Sequence, residues 1–180
     1  MQQQQIKPFK WKSSRELYWE NPSEETYYLR KRWEILGLDC LLDLGCGNGR
    51  HALFFAEDGY TVTAYETENY DLHDLKEQVN ELGLEMTYLS GSLEQLSFDT
   101  QSYDAILAYD SLLTFNQEKI DQLVGQLYEI LKPGGECYLT LPSHISLVEL
   151  VKKFYIISYK KVQNFTHHEV KESTHLLLKK

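Results

Sequence analysis

Apolar positions fall into two rhythms along this chain. Steps of three and four residues, the period of a helix face, alternate with short unbroken apolar runs that suit buried strands. Asn21, Pro22 and Glu24 stand where an N-cap, a first-turn proline and a capping-box acid belong, and Leu29, Trp33 and Leu36 follow at helical spacing until Gly37, which predicts a first helix. Cys40-Leu41-Leu42-Asp43-Leu44, closed by Gly45, reads as a strand buried on both faces. Arg50 to Asp58 reads as a second helix stopped by Gly59, and Tyr60 to Tyr65, with Val62 among threonines and tyrosines, as a second strand. Leu72, Leu75, Val79 and Leu82 mark a third helix ending at Gly83, while Met86 to Leu89 and Tyr103 to Tyr109 read as the third and fourth strands. Ile120, Leu123, Val124, Leu127, Ile130 and Leu131 mark a helix that Pro133-Gly134-Gly135 halts before a fifth strand from Cys137 to Leu141. Leu147, Leu150, Val151 and Phe154 give one more helix. Tyr155 to Phe165 and Thr174 to Leu178 are β-prone segments joined by a polar stretch without helical period, which predicts a hairpin.

Strands separated by helical segments pair in parallel through right-handed crossovers. The expected fold is therefore α/β and Rossmann-like: a doubly wound, mostly parallel sheet of about seven strands, with helices on both faces and a terminal antiparallel hairpin. No internal repeat or linker interrupts it, so residues 1–180 read as a single domain, with 1–37 as an N-terminal lid or helix segment and 38–180 as the core. In such a sheet a ligand belongs at the carboxyl ends of the strands, near the switch point beside the first one.

Composition narrows the partners. The 180 residues are 42% hydrophobic and 25% charged, as in an ordinary globular protein, and 18 basic against 27 acidic residues give a net charge of −9. That charge opposes a phosphate backbone, so nucleic acid is not expected as a partner. Cys40, Cys46 and Cys137 are an odd, sparse set suited to reduced thiols, no stretch is long and apolar enough for a membrane span, and the glutamine-rich start lacks a signal peptide's apolar region. The expected location is the cytoplasm, without a membrane partner. An open sheet edge or the aromatic N-terminus could support a homodimer.

The chemistry concentrates in Asp43-Leu44-Gly45-Cys46-Gly47-Asn48-Gly49, between the first strand and the next helix. Glycines at alternate positions remove side chains that would hold a ligand off the backbone, and they permit the positive φ angles of a tight turn. Arg50 stands where the dinucleotide fingerprint needs a small residue, and no lysine followed by Ser or Thr completes a P-loop. Glu66, seventeen residues past Gly49 at the end of the second strand, is placed to accept two hydrogen bonds from the vicinal hydroxyls of a ribose. A nucleoside ligand is implied.

The Asp-Leu-Gly-Cys-Gly-Asn-Gly loop, the acid at Glu66 and Leu131-Lys132-Pro133-Gly134-Gly135 before the fifth strand resemble the class I S-adenosylmethionine-dependent methyltransferases, across roughly residues 23 to 142 by motif. The short chain and the Gly-Asn-Gly-Arg loop look most like the small-molecule enzymes of the tellurite-resistance and thiopurine kind. The resemblance implies S-adenosyl-L-methionine as cofactor and a small-molecule methyl acceptor. It places Gly45, Cys46, Gly47 and Asn48 against the methionine part, Asp43 near its ammonium, and Glu66 on the ribose. Where the family commonly has an acid for the adenine amino group, this sequence has Ser92, whose hydroxyl can accept that bond without charge assistance. Leu93 would pack near the adenine, and Tyr109 beside the methionine or sulfonium.

Methyl transfer is an in-line displacement in which alignment supplies much of the acceleration, and an amine or hydroxyl acceptor further needs a base or a hydrogen-bond acceptor. Asp110, just after the fourth strand, is the candidate base, or else a capping or loop carboxylate. Tyr109 shares the catalytic neighbourhood. Phe9, Trp11, Tyr18, Trp19, Tyr27 and Tyr28 read either as a lid over the sulfonium or as packing for an added helix, and Lys7, Lys10 and Lys12 as a solvated face or a lure for an anionic substrate. His144 and His167-His168 lack partners at ligand spacing, so no metal site is expected. Two rivals remain: a domain that binds the cofactor or its demethylated product without catalysis, and a nicotinamide-dependent oxidoreductase, against which Arg50 argues.

Overall fold

Each helical excursion between strands returns the backbone to the same edge of the sheet, so the strands it connects run in parallel. The computed structural model describes residues 21–165 and 170–180. Its elements run α1 (Glu24–Leu36), β1 (Cys40–Leu44), α2 (Arg50–Glu57), β2 (Thr61–Glu66), α3 (His73–Glu81), β3 (Thr87–Ser90), β4 (Tyr103–Ala108), α4 (Gln117–Ile130), β5 (Leu131–Pro142), α5 (Val148–Lys153), β6 (Tyr155–Phe165) and β7 (Val170–Lys179). Among the described residues the sheet has seven strands in the order β3-β2-β1-β4-β5-β7-β6, the first five parallel, with β7 antiparallel to both β5 and β6. The doubly wound sheet and its antiparallel end agree with the expected fold.

Alternation of side chains along the strands divides the core into two layers. Leu29 and Trp33 of α1, Phe55 of α2, and Leu75 and Val79 of α3 cover one face against Leu41, Val62 and Leu107. On the other face Ile120, Leu123 and Leu127 of α4, with Leu150 of α5, cover Leu42, Ile106 and Leu139. Each fully buried leucine or isoleucine contributes about 1.5–3 kcal/mol relative to exposure. No helix among the described residues is long and apolar enough to cross a membrane.

The clearest departures from the expected boundaries are at α1, β5 and β7. The first helix starts at Glu24 with Ser23 as N-cap, because the Ser23 carbonyl accepts the first helical bond, from Thr26 N–H at 3.0 Å; Asn21 and Pro22 precede it. The fifth strand begins at Leu131 rather than Cys137. Its pairing with β4 jumps from Tyr103↔Leu131 to Ala105↔Glu136, so the Pro-Gly-Gly segment that ends the helix bulges within the strand. There a Cβ on Gly135 would stand 2.7 Å from the Asp104 carbonyl oxygen, and the Gly134 N–H donates to the Lys180 carbonyl at 3.2 Å. The last strand extends beyond Thr174–Leu178 at both ends. Phe9, Trp11, Tyr18, Trp19, Lys7, Lys10, Lys12 and the His167-His168 pair lie outside the described residues.

Candidate functional site

β1 has β2 on one side and β4 on the other, and the chain reaches them by excursions in opposite directions, so a crevice opens at the carboxyl ends of β1 and β4. The turn after β1 forms its floor. Gly45 and Cys46 N–H groups donate to the Tyr65 carbonyl at 2.8 and 3.1 Å, and Gly49 N–H closes the turn on the Cys46 carbonyl at 2.9 Å. The φ angles of Gly45, Gly47 and Gly49 are 76, 56 and 79°, in the left-handed region that side chains resist.

The three glycines do different things. A Cβ on Gly45 would lie 2.3 Å from Ser111 Cβ, and one on Gly49 would lie 2.3 Å from Leu75 Cδ1, so both serve close packing against protein. On Gly47 it would meet only Tyr70 Oη, at 3.9 Å. The room that alternate glycines were expected to leave for a ligand is therefore confined to Gly47. Cys46 is buried in the core on the α1 side, and burial pushes its thiol up, which keeps it protonated. The Asn48 side chain accepts from Arg50 N–H at 3.4 Å at the entry to α2.

Glu66 is buried at the end of β2, and its carboxylate faces this turn. Oε2 accepts from Gly47 N–H at 2.9 Å and Oε1 from Thr67 N–H at 2.7 Å. A carboxylate offers about four lone-pair sites, so each oxygen retains one after these two bonds. A vicinal diol needs two acceptors side by side, and Glu66 supplies them next to the one glycine that leaves space.

Asp43 is buried in β1, and its Oδ2 has no hydrogen-bond partner among the described residues. Burial pushes its carboxyl up to about 7; the Ala52 N–H in the first turn of α2 opposes the shift, Glu66 adds to it and Arg50 offsets part. An orphaned buried carboxylate oxygen is what an ammonium group would satisfy. These acceptors fit a ribose diol and an ammonium group, two polar parts of an adenosine that carries an amino-acid tail.

The raised pKa has a measurable consequence. Folded Asp43 holds a proton between about pH 4 and pH 7 that the unfolded chain has released, so this residue makes the fold less stable as pH rises through that window. Asp43→Asn is expected to match the wild type in melting temperature near pH 4.5 and exceed it at pH 8 by several degrees, while binding S-adenosylhomocysteine about tenfold more weakly. Circular dichroism melts at the two pH values and calorimetry check both halves.

Across the crevice, β4 leads into Tyr109 and Asp110. Asp110 has φ 59°, a left-handed conformation that aspartate tolerates better than most residues and that clusters at functional sites. Ser111 Oγ, beside Gly45, is buried without a hydrogen-bond partner among the described residues. The Tyr109 ring packs on His51 at 4.9 Å between centroids and stacks parallel to Tyr138 at 6.2 Å. The Arg50 guanidinium lies 5.6 Å from its centroid, and its hydroxyl donates to Glu25 Oε2 at 3.3 Å. Ser92 is exposed after β3; its Oγ accepts from Glu94 N–H at 3.1 Å, and its carbonyl from the Tyr65 hydroxyl at 3.1 Å. Leu93 is half-buried against the core on the α4 side. Tyr27 is exposed with its ring edge on Phe54, at 4.7 Å, so it packs α1 onto α2.

The fold brings several further residues to this neighbourhood. His51 Nε2 accepts the Ser23 N–H at 3.3 Å, tying the start of α1 to the helix after the glycine turn. Burial, with the Arg50 charge, pushes His51 down to about 3, so it serves as a neutral acceptor. Glu25, Tyr138, Lys160 and His175 meet from four separate elements. No local pattern in any one of these elements marks them.

A methyltransferase-domain family model matches residues 41–135, just over half of the chain. A sterol 24-C-methyltransferase of Eremothecium gossypii is 30% identical over 112 residues, 61% of this chain and 30% of the relative. Among solved structures, TehB of Haemophilus influenzae superposes with a TM-score of 0.73 at 18% identity, covering 88% of this chain and 62% of that one. The 1,6-didemethyltoxoflavin-N1-methyltransferase of Burkholderia thailandensis, solved with 1,6-didemethyltoxoflavin and S-adenosylhomocysteine bound, superposes with a TM-score of 0.68 at 15% identity, covering 92% and 81%. These superpositions speak for the fold. The sheet order and the family match define a Rossmann-like methyltransferase domain. The chain belongs to the methyltransferase-domain family, within the class I S-adenosylmethionine-dependent methyltransferases. It spans between a quarter and just under half of the length of the curated relatives it matches.

Proposed function

We infer that this chain transfers a methyl group from S-adenosyl-L-methionine to a small-molecule acceptor. The observation that carries the reading is the Glu66 carboxylate, which grips the Gly47 N–H while keeping one acceptor site on each oxygen beside open space. In this reading Glu66 holds the ribose hydroxyls. Gly45, Cys46, Gly47 and Asn48 run along the methionine part, Asp43 neutralises its ammonium, and Ser92 and Leu93 border the adenine. When bound, the cofactor supplies a methyl carbon made electrophilic by its positively charged sulfur. Tyr109 shields that region from water, and Asp110 is the group best placed to receive a proton from an acceptor that carries one. The net charge of −9 speaks against nucleic acid as acceptor, three unpaired cysteines suit a reducing cytoplasm, and the long β6 edge is where a second copy could pair in a homodimer.

A second reading, a domain that binds the cofactor without turning it over, draws on the short stretch 143–147 between β5 and α5, which leaves little chain to cover an acceptor. Incubation with methyl-labelled cofactor and a panel of thiols, amines, hydroxyl compounds and metalloid oxyanions separates the two. Labelled small-molecule product supports transfer; tight binding of S-adenosylhomocysteine with no product from any acceptor supports the second reading.

A further inference from the structure

Tyr109 directly follows β4 at the crevice, and several elements grip its ring at once. His51 of α2 packs on it at 4.9 Å, Tyr138 of β5 stacks parallel to it at 6.2 Å, and His175 of β7 meets it edge-on at 5.8 Å. Such contacts fix the plane of the ring. Where the ring lies within that plane depends on a polar anchor, because packing is incomplete next to Tyr138, where a cavity of about 270 Å³ lies between α1 and strands β5, β7 and β6.

That anchor is Glu25, in the first turn of α1, whose Oε2 accepts the Tyr109 hydroxyl at 3.3 Å. Its other oxygen is committed as well: Lys160 of β6 pairs with Oε1 at 2.5 Å. The carboxylate cannot rotate away without giving up an ion pair, so Oε2 stays turned to Tyr109. Burial alone would raise the Glu25 carboxyl, but the bonds from Lys160 and from its own backbone N–H, with the Lys160 charge, hold it below its usual value. It is ionised at neutral pH, which makes the bond from Tyr109 charge-assisted. One carboxylate thus ties together α1, the residue after β4 and the edge strand β6, which β5 and β7 separate from β4 in the sheet.

We propose that Glu25 is a positioning residue for cofactor binding: backed by Lys160, it holds the Tyr109 ring where it walls the sulfur and amino-acid end of the crevice. The proposal rests on the reading of Tyr109 as a neighbour of that end. It makes the β6–β7 hairpin, at the antiparallel edge of the sheet, a contributor to cofactor affinity, with the coupling running from Lys160 through Glu25 to Tyr109.

The test is a pair of double-mutant cycles on the full chain, read by calorimetry with S-adenosylhomocysteine and with adenosine, which lacks the sulfur and the tail. Tyr109→Phe and Glu25→Ala are each expected to weaken S-adenosylhomocysteine binding about fivefold, and the double variant no more than either alone. Glu25→Gln keeps an oxygen for the hydroxyl and is expected to stay within about twofold of the wild type. Lys160→Met should cost about threefold in the wild type and nothing in the Tyr109→Phe background. Adenosine affinity stays the same throughout, which a general loosening of the fold would not allow. Tyr109→Phe removes one oxygen atom and the Lys160 side chain is half-exposed, so the second cycle stays readable even if Glu25→Ala does not fold; circular dichroism checks each variant. Unchanged S-adenosylhomocysteine affinity in Tyr109→Phe, losses that multiply in either double variant, or an equal loss for adenosine would overturn the proposal. Binding by the wild type with no effect of these variants defeats this proposal alone, whereas no binding of S-adenosylhomocysteine by the wild type defeats the methyltransferase reading and the proposal with it.

Discussion

Glu66→Ala is expected to weaken S-adenosylhomocysteine binding at least about 100-fold while the chain still folds. In the proposed binding mode the substitution removes two charge-assisted hydrogen bonds to a ribose, each worth about 1.5–3 kcal/mol, and every 1.4 kcal/mol is a factor of about ten. It also strips the Gly47 and Thr67 N–H groups of their acceptor. Both sit in a turn that water can reach once the carboxylate is gone, so the stability cost is about 1–2 kcal/mol and the melt stays cooperative. Glu66→Gln keeps one carbonyl oxygen and should fall between the two proteins. Calorimetry for affinity and circular dichroism for the melt decide the matter, and an alanine variant with wild-type affinity would refute the ribose assignment.

The second large effect lies on the opposite end of the sheet and concerns stability. Glu136 is fully buried at the start of the main run of β5, and it receives Arg32 Nε at 2.8 Å, Arg32 Nη2 at 2.7 Å and Trp33 Nε1 at 3.1 Å. Three donors from one turn of α1 converge on one carboxylate, and this fixes the helix across the sheet. Removing one member of a buried pair costs about 3–5 kcal/mol because its partner is left uncompensated. The Arg32 side chain is 28% exposed and can turn to water, so Glu136→Ala belongs near the lower end, about 3 kcal/mol. Urea unfolding at neutral pH measures it. Glu136→Gln, which still offers an oxygen to Trp33, should lose less, and a loss below 1 kcal/mol in the alanine variant would show that apolar packing of Leu29 and Trp33 alone docks α1.

What the sequence discloses follows from what is local. The alternation of helical period with apolar runs, punctuated by Gly37, Gly59 and Gly83, sets element order, and element order plus the crossover rule leaves few sheet topologies. Gly47 and Glu66 are legible for a shared reason: one lies in the glycine turn just after β1 and the other closes β2, and their spacing reflects the length of one βα unit. Glu136 is not legible, because a glutamate straight after two glycines looks like a surface turn until Arg32 and Trp33, more than a hundred residues earlier, are folded against it. The meeting of Glu25, Tyr109, Lys160 and His175 is hidden in the same way, since contacts between four elements leave no mark in any one of them. The glycine turn shows the converse error. A sequence shows that side chains are missing without showing why, and packing against Ser111 and Leu75 accounts for two of the three absences.

The decisive measurement is a crystal structure of the complex with S-adenosylhomocysteine. Ribose hydroxyls are expected within hydrogen-bonding distance of both Glu66 carboxylate oxygens, with the amino-acid tail running over Gly47 toward Asp43. Ligand density elsewhere on the molecule, or a ribose that leaves Glu66 untouched, would contradict it.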